Sequence, residues 1–213
     1  MQPPLSPTPG GSALRAARLE LDRALRERPC FSSAIQGRLP APAYLDLITQ
    51  LAWFLRAGAR RRLTAESALY EDDLRAVTGR FGLPAPRPSV VLEVFSDLVE
   101  AGAFTLTQPV THALCLALIG TSWTHLAARH LAARFEGATG LLGHLAREGE
   151  RSLATVELAA REETEPGEIE GFLGLAQGAI LGVALHLDAA WPACGGGESG
   201  ACQRDQSSAT VSS

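Results

Sequence analysis

Apolar residues recur at helical spacing along most of the chain, and no segment of useful length alternates with period two. Ala113–Phe135 contains no proline and carries Leu114, Leu118, Trp123, Leu126, Leu131 and Phe135 on its apolar positions. The pattern predicts one continuous helix here, with other apolar helices wrapped around it. In its middle lie the small residues Gly120, Thr121 and Ser122. A glycine inside a helix costs about 1 kcal/mol against alanine, so Gly120 calls for a packing or functional reason.

The same periodicity predicts a first helix over Ala13–Arg28, capped by Ser12, with Leu14, Ala17, Leu21 and Leu25 as its stripe. A second helix enters at Pro40 and Pro42 and buries Tyr44, Ile48, Leu51, Phe54 and Leu55. A third runs from Thr64 as N-cap to Gly79 as stop, and a fourth from Ser89 to Gly102. Three prolines make Leu83–Ser89 a loop. Glu136–Gly140 breaks the chain before a helix over Leu141–Glu162, and a last helix runs from Thr164 to near Trp191. The fold class is therefore all-α, in a single domain spanning 13–192. Residues 1–12, rich in Pro, Gly and Ser, are predicted as a disordered tail, and 193–213 as a flexible Gly/Ser-rich one.

Composition narrows the function classes. A chain of 213 residues suits one well-buried core. Its net charge of -4 supplies no basic field for nucleic acid. All nineteen basic residues are arginine, and those at 56, 60, 61 and 62 read as a solvated helix end. Cys30, Cys115, Cys194 and Cys202 have neither zinc-site nor disulfide-scaffold spacing. Cys115 reads as a buried thiol, and Cys194 and Cys202 as tail residues able to pair with each other. The amino-terminal stretch lacks the basic and apolar regions of a signal peptide, and no run reaches the roughly 18 apolar residues of a membrane span. The expectation is a cytoplasmic protein with no membrane partner.

The segment Leu14–Leu25, LRAARLELDRAL, resembles the opening helix of bacterial heme oxygenases, including those that serve bacteriophytochromes, which commonly reads L-R-x-A-T-x-x-L-H-x-x-L. The similarity continues through Phe31, Gly37, Tyr44 and Asp73-Leu74 to the long helix with a small-residue centre, covering residues 13–191. It implies a heme-oxygenase-like bundle of six to eight helices holding heme or a related tetrapyrrole between the first helix and the Gly120 helix. It further implies O2-dependent opening of heme to biliverdin, iron and CO, with electrons from a reductase or ferredoxin. Asp22 would face the proximal side and Gly120, Thr124 and His125 the distal side, with Arg18 and Ser122 also among the cofactor-binding residues.

Departures from the family pattern fall on this same pocket. Asp22 stands where the family carries its axial histidine, and a carboxylate is a harder donor than imidazole. The distal Gly-Gly pair falls on Thr124 and His125, and the last helix offers no Arg or Lys to a propionate. One explanation is inverted ligation, with His125 as the metal ligand. The alternative is a non-catalytic helical module that binds a small apolar ligand or a protein partner. A non-heme iron oxidase, a third option, would hold iron without porphyrin. His125 and His130 lie about 140° apart around a helix and cannot share a metal.

Overall fold

The computed structural model describes residues 9–62, 64–162 and 166–195. Among them the chain forms nine α-helices, one short 3-10 turn and no strand. The helices are α1 (Pro9–Arg26), α2 (Pro29–Ile35), α3 (Ala41–Gly58), α4 (Ala65–Phe81), α5 (Val90–Glu100), α6 (Gln108–Ile119), α7 (Ser122–Leu131), α8 (Gly140–Glu162) and α9 (Pro166–Ala190), followed by the 3-10 turn Pro192–Gly195. The all-α reading holds, with more helices than expected: α2 is an additional short helix, and the long central one is two.

The helix buried on all sides is α3, not the 113–135 segment. Fifteen of its eighteen residues are buried, from Ala41 to Gly58, against α4, α5, α6 and α9. A helix apolar around its whole circumference has no face left for solvent. Tyr44 stacks on Phe135 with ring centroids 4.2 Å apart, and its hydroxyl donates to the Ala138 carbonyl at 2.5 Å. Phe54 stacks on Phe95 of α5 at 5.2 Å. Both the α3 stripe and the α1 stripe of Leu14, Ala17, Leu21 and Leu25 are in the core as their spacing predicts.

The predicted central helix breaks at Gly120. Its ψ of 61° leaves the helical region, and Thr121 is extended, so α7 starts afresh at Ser122. The cause is a backbone contact. A Cβ on Gly120 would sit 2.5 Å from the Gly149 Cα and 2.5 Å from the Leu145 carbonyl oxygen of α8. The two glycines let α6 and α8 approach closely, which answers the packing question that Gly120 poses in the sequence.

Several predicted ends move for identifiable reasons. The first helix begins at Pro9 rather than after Ser12, so residues 9–12 form its first turn instead of a tail; a proline there lacks only an N–H that has no helical partner anyway. Gly79 stays helical, and Gly82, at φ 64°, terminates α4 in the left-handed conformation. The 3-10 turn brings Pro192–Gly195 back onto the bundle, where Ser33 Oγ donates to the Cys194 carbonyl at 2.7 Å. The remainder of the two predicted tails, 1–8 and 196–213 with Cys202, lies outside the described residues.

The arginine cluster is not simply a solvated helix end. Arg60 and Arg61 follow α3 at φ 48° and 56°, a strained conformation for non-glycine residues. Arg60 is held by the Leu106 carbonyl at 2.8 Å, and Arg61 by Asp97 and Glu100 of α5, both at 2.8 Å. Contrary to the sequence count, Gly167–Ala190 of α9, with mean hydropathy 1.5, is long and apolar enough to cross a bilayer by length and composition. In the fold this helix packs against α1, α3 and α5, as core helices also do.

The glycine contact predicts that Gly120→Ala or Gly149→Ala is destabilising by about 1–3 kcal/mol or more, because backbone rather than a flexible side chain must move. Gly79, whose added Cβ would meet nothing within 4 Å, is the control. Its alanine variant should gain about 0.5–1 kcal/mol. Urea unfolding of the three variants checks both signs.

Candidate functional site

Four of the residues implicated by the family resemblance do converge, on the junction of α1 with the Gly120 break. Asp22 Oδ1 accepts from the Thr121 hydroxyl at 2.6 Å and the Trp123 N–H at 2.9 Å. Its Oδ2 accepts from the Ser122 hydroxyl and from Arg26 Nε, both at 2.8 Å. Arg18 donates to the Gly120 carbonyl at 2.9 Å and pairs with Glu150 at 2.6 Å. Burial raises the Asp22 carboxyl, but the bonds from Thr121, Trp123 and Ser122 and the Arg26 charge outweigh it and hold it below its ordinary range.

These residues form a helix-capping knot rather than a pocket. Both Asp22 oxygens are occupied by donors from α7 and α1, and the open face of Gly120 is filled by Gly149. Thr124 is fully buried and turns its hydroxyl back to the Ile119 carbonyl at 2.5 Å. His125 is exposed on α7 and does not join Asp22. In this packing the junction holds no space for heme: it leaves neither a flat glycine surface nor a carboxylate free of donors. Among the described residues no group of three or more His, Cys, Asp and Glu is arranged to hold a metal ion.

A second buried carboxylate joins three other helices. Glu66 of α4 is 4% exposed; His144 of α8 lies 2.7 Å from its Oε1 and His112 of α6 lies 3.5 Å from its Oε2. Burial raises its carboxyl, yet the adjacent His112 ring, Thr64, its own backbone N–H and the His144 hydrogen bond hold it well below the glutamate range. Asp73 of α4 accepts from the first N–H groups of α8, Gly140 at 3.0 Å and Leu141 at 2.9 Å. There burial prevails over those two bonds, with Asp72 adding to it, and the carboxyl is raised.

The cavity best suited to a ligand lies elsewhere, between the start of α3, the α4–α5 loop and the carboxyl-terminal turn. It has a volume of about 590 Å³. Pro40 and Pro42 form one wall, Leu83, Pro84 and Pro86 the other, and Trp191 and Cys194 a third side. Proline fixes φ near -65°, so two of the walls are stiff before any guest arrives. Among the described residues the acidic group lining this space is Asp46, itself 7% exposed. Its Oδ1 accepts from the Gln50 amide at 2.8 Å and its Oδ2 from the Trp191 indole N–H at 3.0 Å. Both donors are neutral, so they solvate the carboxylate without cancelling its charge. The nearest titratable cation is His186, 3.8 Å from Oδ2.

This site carries none of the residues implicated by the family resemblance. Arg18, Asp22, Gly120, Ser122, Thr124 and His125 line none of the three described cavities. One signal in the sequence points to it. The tetrapeptide Leu-Pro-Ala-Pro occurs twice, at 39–42 and 83–86, and the two copies supply the facing walls. Each copy alone reads only as a turn, and the pairing of the two is a tertiary fact. Comparison with protein-family models gives no match, and no curated protein matches the chain.

The knot at Asp22 predicts that Asp22→His, which restores the residue type of the resembled family, destabilises the fold. Three α7-side donors and Arg26 lose their acceptor, for a loss of about 1–3 kcal/mol in chemical denaturation. The carboxylates also set a pH dependence. Glu66 and Asp22 are depressed in the folded state, so their stabilisation is complete above the ordinary carboxylate range and is lost as pH falls through it and below. Asp73, being raised, works in the opposite sense. The Tm should fall between about pH 6 and pH 3, and Glu66→Gln should flatten that slope.

Proposed function

We propose that this protein is a ligand-binding helical module, and that the Asp46 cavity takes a small molecule with an apolar body and one cationic amino group. The observation that carries this reading is a carboxylate on the wall of a largely apolar space, hydrogen-bonded by two neutral donors and with His186 3.8 Å away. A cavity of about 590 Å³ is within the usual range for small-molecule sites. An amine placed at Oδ2 would neutralise Asp46 where water is largely excluded, and the proline and leucine walls would cover its hydrocarbon part. Such a site discriminates by charge and shape; no covalent step is needed for it to act.

A second reading remains that of the resembled family: oxidative cleavage of heme in a heme-oxygenase-like bundle. The convergence of Arg18, Asp22, Gly120 and Ser122 supports it. It requires α8 to withdraw from Gly120 before a tetrapyrrole can enter. A Soret shift at stoichiometric hemin that Asp22→Ala abolishes would favour this reading over the first.

The amine reading is tested with 2-phenylethylamine and its neutral analogue 2-phenylethanol, titrated against the fluorescence of Trp191 or by calorimetry. The amine should bind about tenfold more tightly, equivalent to about 1.4 kcal/mol. Asp46→Asn, which keeps the side-chain volume, should erase that difference. Equal affinity of the two probes for the native protein would refute the assigned role of Asp46.

A further inference from the structure

The sequence leaves Cys194 able to pair with Cys202, which lies outside the described residues; among the described residues the Cys194 turn packs on α2, which carries Cys30. Cys30 opens α2, is fully buried, and its N–H donates to Asp188 Oδ1 of α9 at 3.0 Å. Cys194 sits in the 3-10 turn, half-buried, on the wall of the Asp46 cavity. The Ser33 hydroxyl of α2 ties that turn down through the Cys194 carbonyl at 2.7 Å, and the Cys194 N–H closes the turn on the Trp191 carbonyl at 3.0 Å. Both are free thiols. Ser33, which holds the Cys194 backbone, lies one turn along α2 from Cys30, so the two cysteines share the seam between α2 and the carboxyl-terminal turn.

We propose that Cys30 and Cys194 form a dithiol site that reacts with small-molecule disulfides and closes to a reversible Cys30–Cys194 disulfide. Their positions divide the roles. Cys194, reachable from the cavity, is the attacking sulfur; Cys30, buried behind it, is the resolving one. The Cys194 thiolate attacks one sulfur of the external disulfide and expels one thiolate. Cys30 then loses its proton, attacks the Cys194 sulfur of the mixed disulfide, and expels the second thiolate. Two protein thiols become one S–S bond, and the external disulfide is reduced to two thiols.

The electrostatics run in the same direction. The neighbouring Cys30 thiol lowers the Cys194 thiol below its ordinary range, against burial and the charge of Asp188. The Cys194 neighbour, burial and the charges of Asp188 and Asp46 push Cys30 up, which suits it to the later, resolving step. Cys115 is fully buried against Gly58, and burial raises its thiol as well. It serves as an internal control that stays unreactive in the folded protein. The pairing stands independently of the amine reading, because its test reads the sulfur atoms and not ligand affinity.

The full chain is incubated with oxidised glutathione, the remaining thiols are blocked with N-ethylmaleimide, and unreduced peptides are mapped by mass spectrometry. A peptide joining Cys30 to Cys194 should appear and vanish with dithiothreitol. With the blocking carried out under denaturing conditions, Cys30 and Cys194 should escape the label together while Cys115 takes it. The Cys202→Ser chain should form the same link, whereas Cys30→Ser should stop at a glutathione adduct on Cys194. A Cys194–Cys202 link, a lasting adduct on Cys194 of the native chain, or no reaction at Cys194 would each overturn the proposal. The peptide map of the native chain decides even if Cys30→Ser fails to fold.

Discussion

The bundle depends on side chains from one helix satisfying the free N–H groups at the start of another. Four helices begin this way. The Cys30 N–H of α2 is met by Asp188 of α9, the Ser89 N–H before α5 by Gln50 of α3, the Trp123 N–H of α7 by Asp22 of α1, and the Gly140 and Leu141 N–H groups of α8 by Asp73 of α4. In α2, α5 and α7 the N-cap side chain itself makes no such bond. Unpaired helix-start donors are costly when buried, so these helices hold their ends only within the assembled fold. A carboxylate at such a position also meets the positive end of the helix dipole.

That constraint fixes the roles available to Asp22. An aspartate that accepts from Thr121, Ser122, Trp123 and Arg26 has its lone pairs directed into protein, and a metal would have to displace those donors. The Gly120–Gly149 contact acts in the same place. It draws α8 against the break between α6 and α7, while Arg18 ties the Gly120 carbonyl to Glu150 across the seam. Close approach of backbones, rather than access for a flat ligand, is the use to which the glycine is put.

The carboxyl-terminal turn is organised differently. Trp191 donates to Asp46 and, with Cys194, lines the cavity; Ser33 of α2 holds the Cys194 carbonyl. One short segment therefore joins α2, α3 and α9 around a space with rigid proline walls.

By itself the sequence determined the helical content, the α1 and α3 stripes, the proline-marked loop and the special standing of Gly120. Those features depend on spacing and on local backbone freedom, both of which are present in a linear chain. It did not determine the bounds set by contact, such as the break at Gly120, where a packing partner replaces the ordinary reason for continuity. Only the tertiary structure decided that Asp22 caps α7, that Glu66 meets His112 and His144, that the Cys194 turn docks on α2, and that the two Leu-Pro-Ala-Pro segments line one cavity. The physical reason is common to all four. Periodicity says which face of a helix leaves water, but a polar or sulfur atom takes its role from a partner far away in sequence, and nothing local records which partner that is.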